Sequence, residues 1–146
     1  MRRIEQTVFI RAPVQVVFGL ASDWQRWEEW FVGVGGYKPI TETTKGNGTR
    51  YAYTASMLGI QSRFETEITE FRENEGWVGV GTKAIPHRSI WVFAETSEGT
   101  EFTYAIEYRL PFLIGALFEP LLKRQWRRII QESVLNFERL VTAEAR

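Results

Sequence analysis

A single histidine sets the limit on acid–base chemistry in this chain: any histidine-dependent proton transfer has to use His87. It follows Pro86 and precedes Arg88 where a loop gives way to an extended run, and its ordinary reading there is a solvated loop side chain. Tyr104 and Arg88 are the best candidates beside it if the chain performs any chemistry at all. One histidine, with no carboxylate pair at helical ligand spacing, argues against a conventional metal site. The lack of cysteine removes disulfides, thiolate nucleophiles and zinc–cysteine sites together. No nucleophile elbow, phosphate-binding glycine loop or paired-acid motif occurs. Gly46-Asn47-Gly48 reads as a tight turn rather than a phosphate cradle. Neither a metal nor a cofactor is expected.

What could position such residues is a long run of strands closed by one helix. From Phe112 to about Val141 there is no Gly after Gly115 and no Pro after Pro120. Leu122, Trp126, Ile129, Ile130, Ser133, Phe137, Leu140 and Val141 recur at three- and four-residue steps, one face of an amphipathic helix. At the other end, Ile4 to Ile10 reads as a strand. Pro13 suits a first helical position, and Val14, Val17, Phe18 and Ala21 then mark a short helix. Ser22-Asp23 can cap a second one carrying Trp24, Trp27, Trp30 and Phe31, ended by Gly33, Gly35 and Gly36. Trp24 and Trp30 do not easily face the core together with Trp27, which leaves one of them for the surface.

Six strands are expected between the helices. Tyr37 to Thr43 is a weak one, closed at Lys45-Gly46-Asn47-Gly48. Thr49, Tyr51, Tyr53 and Ala55 alternate with Arg50, Ala52 and Thr54, and Leu58-Gly59 interrupts. Phe64, Thr66 and Ile68 alternate with Arg63, Glu65 and Glu67, a strand wet on one face. Asn74-Glu75-Gly76 turns into Trp77 to Gly81, whose glycines mark a bulge, a bend or close backbone contact. Ser89 to Glu95 puts Trp91 and Phe93 on one face and Ile90 and Val92 on the other. Ser97-Glu98-Gly99 is a hairpin turn into Phe102, Tyr104, Ile106 and Tyr108. Connections this short imply an antiparallel sheet.

If that alternation holds, Tyr51, Tyr53, Phe64, Trp91, Phe93, Phe102, Tyr104 and Tyr108 share one face of the sheet, opposite Leu122 and Trp126 on the helix. A dry, filled core is the bland outcome. The favoured one is a pocket, because bulky rings bridging a sheet and one helix rarely interlock without gaps. Tyr and Trp also carry O–H and N–H groups that need partners when buried, which a ligand carbonyl or ordered water could supply. Tyr51, Tyr53, Phe64, Trp91, Phe93, Tyr104, Tyr108, Phe118, Leu122, Trp126 and Ile129 are the expected ligand-binding set. A void of several hundred Å³ would support that expectation.

Length and composition fit these elements. The 146 residues have the size of one domain, and no repeat, low-complexity segment or linker divides them, so residues 1–146 read as a single ligand-binding unit. Aromatic residues make up 14%, six of them Trp. The 18 basic and 18 acidic side chains balance, so charge predicts no nucleic-acid partner. The basic start has no apolar run long enough for a signal peptide, and no stretch approaches the roughly 20 apolar residues of a membrane span, so a cytoplasmic protein is expected. The segment Leu110-Pro111-Phe112-Leu113-Ile114-Gly115-Ala116-Leu117-Phe118 is nearly all apolar, with Lys123-Arg124 and Arg127-Arg128 behind it. Its ordinary reading is burial against the sheet. The alternative is transient membrane contact through Phe112 to Phe118, with the basic residues meeting acidic headgroups.

Ile10-Arg11-Ala12-Pro13, Val16-Val17-Phe18, Leu20 and Asp23, followed by Trp27 and Trp30, resemble the opening of the START-like helix-grip superfamily. This is the birch-pollen-allergen-like or SRPBCC group of polyketide cyclase/dehydrase and lipid-transport proteins, and the order of elements resembles it over the whole chain. The resemblance implies an α+β helix-grip fold: a curved antiparallel sheet in β-α-α-β6-α order, wrapped around a long C-terminal helix with an internal cavity. Fold does not select among the activities it hosts. The first expectation is a non-enzymatic carrier or sensor of a small hydrophobic molecule: a lipid, polyketide, isoprenoid or aromatic metabolite. The second, implied by resemblance to the aromatase/cyclases, is aldol condensation and dehydration. Arg88, His87, Tyr104, Tyr108 and Ser133 would then polarise carbonyls and move protons. The third is a protein-interaction module using the outer sheet face or the Trp-rich second helix.

Overall fold

The computed structural model describes residues 2–57, 59–83 and 85–145. β1 (Arg2–Ile10) leads into α1 (Val14–Ala21) and a 3₁₀ helix (Trp24–Glu29). β2 (Val34–Pro39), β3 (Arg50–Met57), β4 (Ile60–Arg72), β5 (Gly76–Gly81), β6 (His87–Glu95) and β7 (Thr100–Tyr108) follow, and α2 (Phe112–Glu144) closes the chain. All strand pairs are antiparallel, in the order β1-β7-β6-β5-β4-β3-β2. The sheet is therefore a meander from β2 to β7, with β1 returning to pair with β7, curved around α2. This is the α+β helix-grip architecture.

Periodicity accounts for most of these elements. Val14, Val17, Phe18 and Ala21 are all buried on α1, and Leu122, Ile130, Ser133, Val134, Phe137 and Val141 form the buried stripe of α2. On β6, Ser89, Trp91 and Phe93 face inward and Val92 outward, as strict alternation requires. Boundaries differ in two places. Pro13 stands just outside α1, extended at φ −61° and ψ 149°, with the helix starting at Val14. β2 lies earlier than Tyr37 to Thr43, and Gly35 and Gly36 belong to it instead of ending the helix before it. Leu58 of the expected Leu58-Gly59 interruption lies outside the described residues; Gly59 sits in the β3–β4 turn at φ +80°.

The Trp-rich segment corrects a further expectation. Asp23 caps it, its side chain accepting from the Gln25 N–H at 3.2 Å. The segment winds as a 3₁₀ helix, whose three residues per turn align positions three apart. Trp24 and Trp27 therefore point the same way, and Trp30, which ends the helix, joins them: Trp27 and Trp30 are buried and Trp24 is half-buried against the same core. On α-helical geometry the three would have diverged.

Candidate ligand cavity

The concave face of the sheet divides into two regions. At one end the short helices plug it with rings. Phe18 packs edge-on against Phe71, Trp77 and Phe93 at centroid separations of 5.6, 5.5 and 5.3 Å. Trp77 stacks on Trp91 at 4.4 Å and Phe93 on Phe102 at 4.8 Å. Trp30 closes over Trp91 and Phe137. Aromatic pairs of this kind contribute roughly 0.5–1.5 kcal/mol each beyond their buried area, so ring packing holds this end as core.

The other end is open. A cavity of about 110 Å³ lies between the strands and the middle of α2. Tyr37, Tyr53, Phe64, His87, Tyr104 and Tyr108 reach it from the sheet, and Trp126, Ile129 and Ile130 from the helix. A second, wider cleft of about 520 Å³ lies under the first turns of α2, bordered by Arg2, Arg109, Phe112 and Glu119. Tyr108 is common to both walls. Its ring meets Trp126 edge-on at 4.7 Å and 88°, and its hydroxyl lies 3.3 Å from Glu119 Oε1.

The structure thus brings Tyr53, Phe64, Tyr104, Tyr108, Trp126 and Ile129 of the expected set to one cavity. Tyr51 and Trp91 lie off it, bordering a deeper void of only about 40 Å³. Trp27 covers both, at 4.8 and 5.8 Å. Phe93 is core, enclosed by Phe18, Trp77 and Phe102. Leu122 is buried away from the cavity wall, and Phe118 points outward at 42% exposure. The reason is shared: one face of a sheet this long is deep enough for two environments, and the short helices fill one of them.

His87 is the largest departure from expectation. It is buried at 5% exposure, pairs in register with Gly81 and Tyr108, and opens β6 rather than standing in a solvated loop. Its Nδ1 lies 2.8 Å from the Ile85 carbonyl, which can only accept, so Nδ1 carries the proton. Nε2 is then an acceptor facing Thr66 Oγ1 at 3.1 Å and Tyr53 Oη at 3.2 Å, and those two hydroxyls are themselves 3.1 Å apart. To reach β4 and β3 the imidazole must pass over β5. It can because the residue there is Gly81, where a Cβ would meet His87 Cε1 at 2.3 Å. Burial pushes the imidazole below its usual range, partly offset by the Ile85 hydrogen bond.

Beside this cluster two hydroxyls face the cavity without a protein partner, whereas the enclosed polar atoms lacking one, among the described residues, are Trp30 Nε1 and Thr49 Oγ1. Among the described residues, neither Tyr37 Oη nor Tyr104 Oη has a hydrogen-bond partner, although both side chains line the cavity. Burial raises both phenols well above 10, with the neighbouring Tyr53 adding to it. Tyr53 itself is pushed up to about 12 by burial, moderated by Thr66. All three therefore remain neutral donors at physiological pH. Among the described residues no cation shares the wall. Arg88 is on the opposite face of the sheet, 3.0 Å from Glu107 and 3.7 Å from Glu70, which removes it from any chemistry in the cavity. Ser133 donates to the Ile129 carbonyl at 2.7 Å and accepts from the Val32 N–H at 2.9 Å, a structural bridge. Among the described residues no three His, Asp or Glu side chains come together as metal ligands.

This geometry coincides with a match along the sequence. A family model described as polyketide cyclase/dehydrase and lipid transport covers residues 1–142. The chain belongs to this family. Its fold is similar to TTHA0849 from Thermus thermophilus, at 20% identity over 99% of this chain and 100% of that one, with a TM-score of 0.85. It is similar to Ara h 8.0201, at 12% identity over 97% and 98% of the two chains and a TM-score of 0.69. The di-domain ARO/CYC StfQ of the steffimycin biosynthetic pathway aligns with 97% of this chain over 49% of its own, at 16% identity and a TM-score of 0.72. At these identities the likeness is one of fold. No curated protein sequence matches the chain. As a polyketide cyclase/dehydrase and lipid-transport family member it has the helix-grip fold, and the family points to a small hydrophobic ligand. No helix among the described residues is long and apolar enough to cross a membrane.

Proposed function

We propose that this chain binds and carries a compact, uncharged, largely apolar molecule bearing a carbonyl or hydroxyl oxygen. The supporting observation is the pair of hydroxyls without a protein partner, Tyr37 and Tyr104, in the wall of a largely apolar cavity. A hydroxyl that faces a cavity without a protein partner is free to bond a ligand oxygen, a net gain of about 0.5–1.5 kcal/mol. With no cation among the described residues of that wall, a carboxylate or phosphate is disfavoured. Size narrows the class further. At about 110 Å³ the cavity falls short of the several hundred Å³ of a drug-sized site. It is close to the ~150 Å³ engineered cavity that holds benzene. A single ring or a short branched isoprenoid unit fits inside, and a longer molecule would extend past Tyr108 into the outer cleft.

The test is a matched-pair titration by calorimetry: ethylbenzene against acetophenone, and naphthalene against naphthol. The oxygenated member of each pair should bind about fivefold to tenfold tighter, the value of one net hydrogen bond. Tyr104→Phe should erase much of that preference while leaving the hydrocarbon affinity unchanged. Equal binding of both members, or no binding by any of them, would remove the proposal. Recovering the ligand unaltered supports carriage. Conversion of a poly-β-ketone to a cyclised product would instead favour aldol cyclisation, with Tyr53 and His87 Nε2 as the proton relay and Arg88 dispensable.

A further inference from the structure

The first ten residues of α2 present a surface that the fold leaves bare. Phe112, Leu113, Leu117 and Leu121 are 86%, 73%, 72% and 54% exposed, and Ile114 and Phe118 are exposed beside them. Burial against the sheet, the ordinary expectation for this segment, does not occur: the buried stripe of α2 begins only at Leu122. At about 100° per residue, Leu113, Leu117, Leu121, Ile114 and Phe118 cover an arc of roughly 140° on the outward side. Arg124 and Arg128 continue the same outward row one turn further on, flanked by Lys123 and Arg127. From Arg109 to Arg128 five basic side chains stand against a single acidic one, Glu119, in a chain whose charges balance only as a whole. Glu119 is turned inward to Tyr108 and Arg2. Among the described residues, Lys123, Arg124 and Arg127 make no ion pair.

We infer that these turns of α2 dock on an anionic lipid surface. The apolar arc enters the boundary between headgroups and acyl chains, and the basic collar meets the phosphates. Charge and shape select this occupant. A second copy of the chain would bring five basic residues against five. A protein groove takes a narrow apolar stripe, whereas a lipid phase accepts side chains over a wide arc. The apolar length, about 15 Å at 1.5 Å per residue, is half a bilayer core, so the contact is peripheral and reversible. The inference is independent of the cargo reading, although the outer cleft opens beneath the same turns.

The chain has no cysteine, so Leu117→Cys can carry a single environment-sensitive fluorophore. Phosphatidylcholine vesicles containing phosphatidylglycerol should shift its emission to the blue and co-sediment the protein, with binding falling as salt rises. Neutralising Arg124 and Arg127 to Gln should weaken binding about fivefold per side chain. Leu113→Glu with Leu117→Glu should weaken it about tenfold or more, with circular dichroism unchanged because both positions are exposed. Equal binding to pure phosphatidylcholine, indifference to these substitutions, or a blue shift from self-association without lipid would each overturn the inference.

Discussion

His87 shows how one residue's environment is set by others distant in sequence. Its imidazole is neutral because it is buried, and it is buried because Gly81 gives it room to reach Thr66 and Tyr53. The sign of the resulting pH dependence is definite. The unfolded chain takes up a proton near the ordinary value of 6.5, and the folded chain only at lower pH. The folded state therefore gains stability as pH rises between the two values and loses it as pH falls below about 6.5. With one histidine in the chain, its imidazole signals in an NMR titration need no assignment. They should titrate below the unfolded value, alongside a denaturation midpoint that drops across the same window. A titration at or above 6.5 would mean that the imidazole is not enclosed as described.

Among the elements, the 3₁₀ helix decides where the cavity can be. Its six residues place Trp27 and Trp30 over one end of the sheet, and its winding rests on the Asp23 cap. Asp23→Ala should cost about 1 kcal/mol of unfolding free energy in urea, with Asp23→Asn or Ser retaining most of it. An unchanged midpoint would assign the helix wholly to tryptophan burial. α2 behaves differently along its length. Its first turns have no side-chain cap, and Pro120 leaves the Ala116 carbonyl without its intrahelical donor, whereas from Leu122 onward the buried stripe fixes it. In the sequence, helical spacing from Leu122 onward and the scarcity of breakers after Pro120 marked one continuous helix. Burial separated its two halves, because the sheet ends before the helix does.

For the whole molecule, filling the void is the decisive perturbation. Ala55 lines the cavity from β3, so Ala55→Leu should abolish binding of a single-ring ligand while leaving the thermal midpoint unchanged or higher. Undiminished affinity would place the ligand elsewhere. The order of strands and helices, the meander and the inward faces of β4, β6 and β7 were legible in the sequence, because alternation, helical period and turn residues are local and repeat many times. The polar character of the cavity was only partly legible. Tyr53, Tyr104 and Tyr108 were identified from their faces, whereas Tyr37 was not picked out and His87, singled out for its chemistry, read as a solvated loop side chain. Its one available signal was Gly81, a glycine inside a strand where a large neighbour needs space. Which rings fill the core and which border the hollow was decided by tertiary structure alone. Trp91 and Phe93 share a strand face with His87, yet Phe18, Trp27 and Trp30 cover them and stop short of the imidazole. Patterning along the chain determines which way a side chain points. What meets it there depends on where separate elements end once packed.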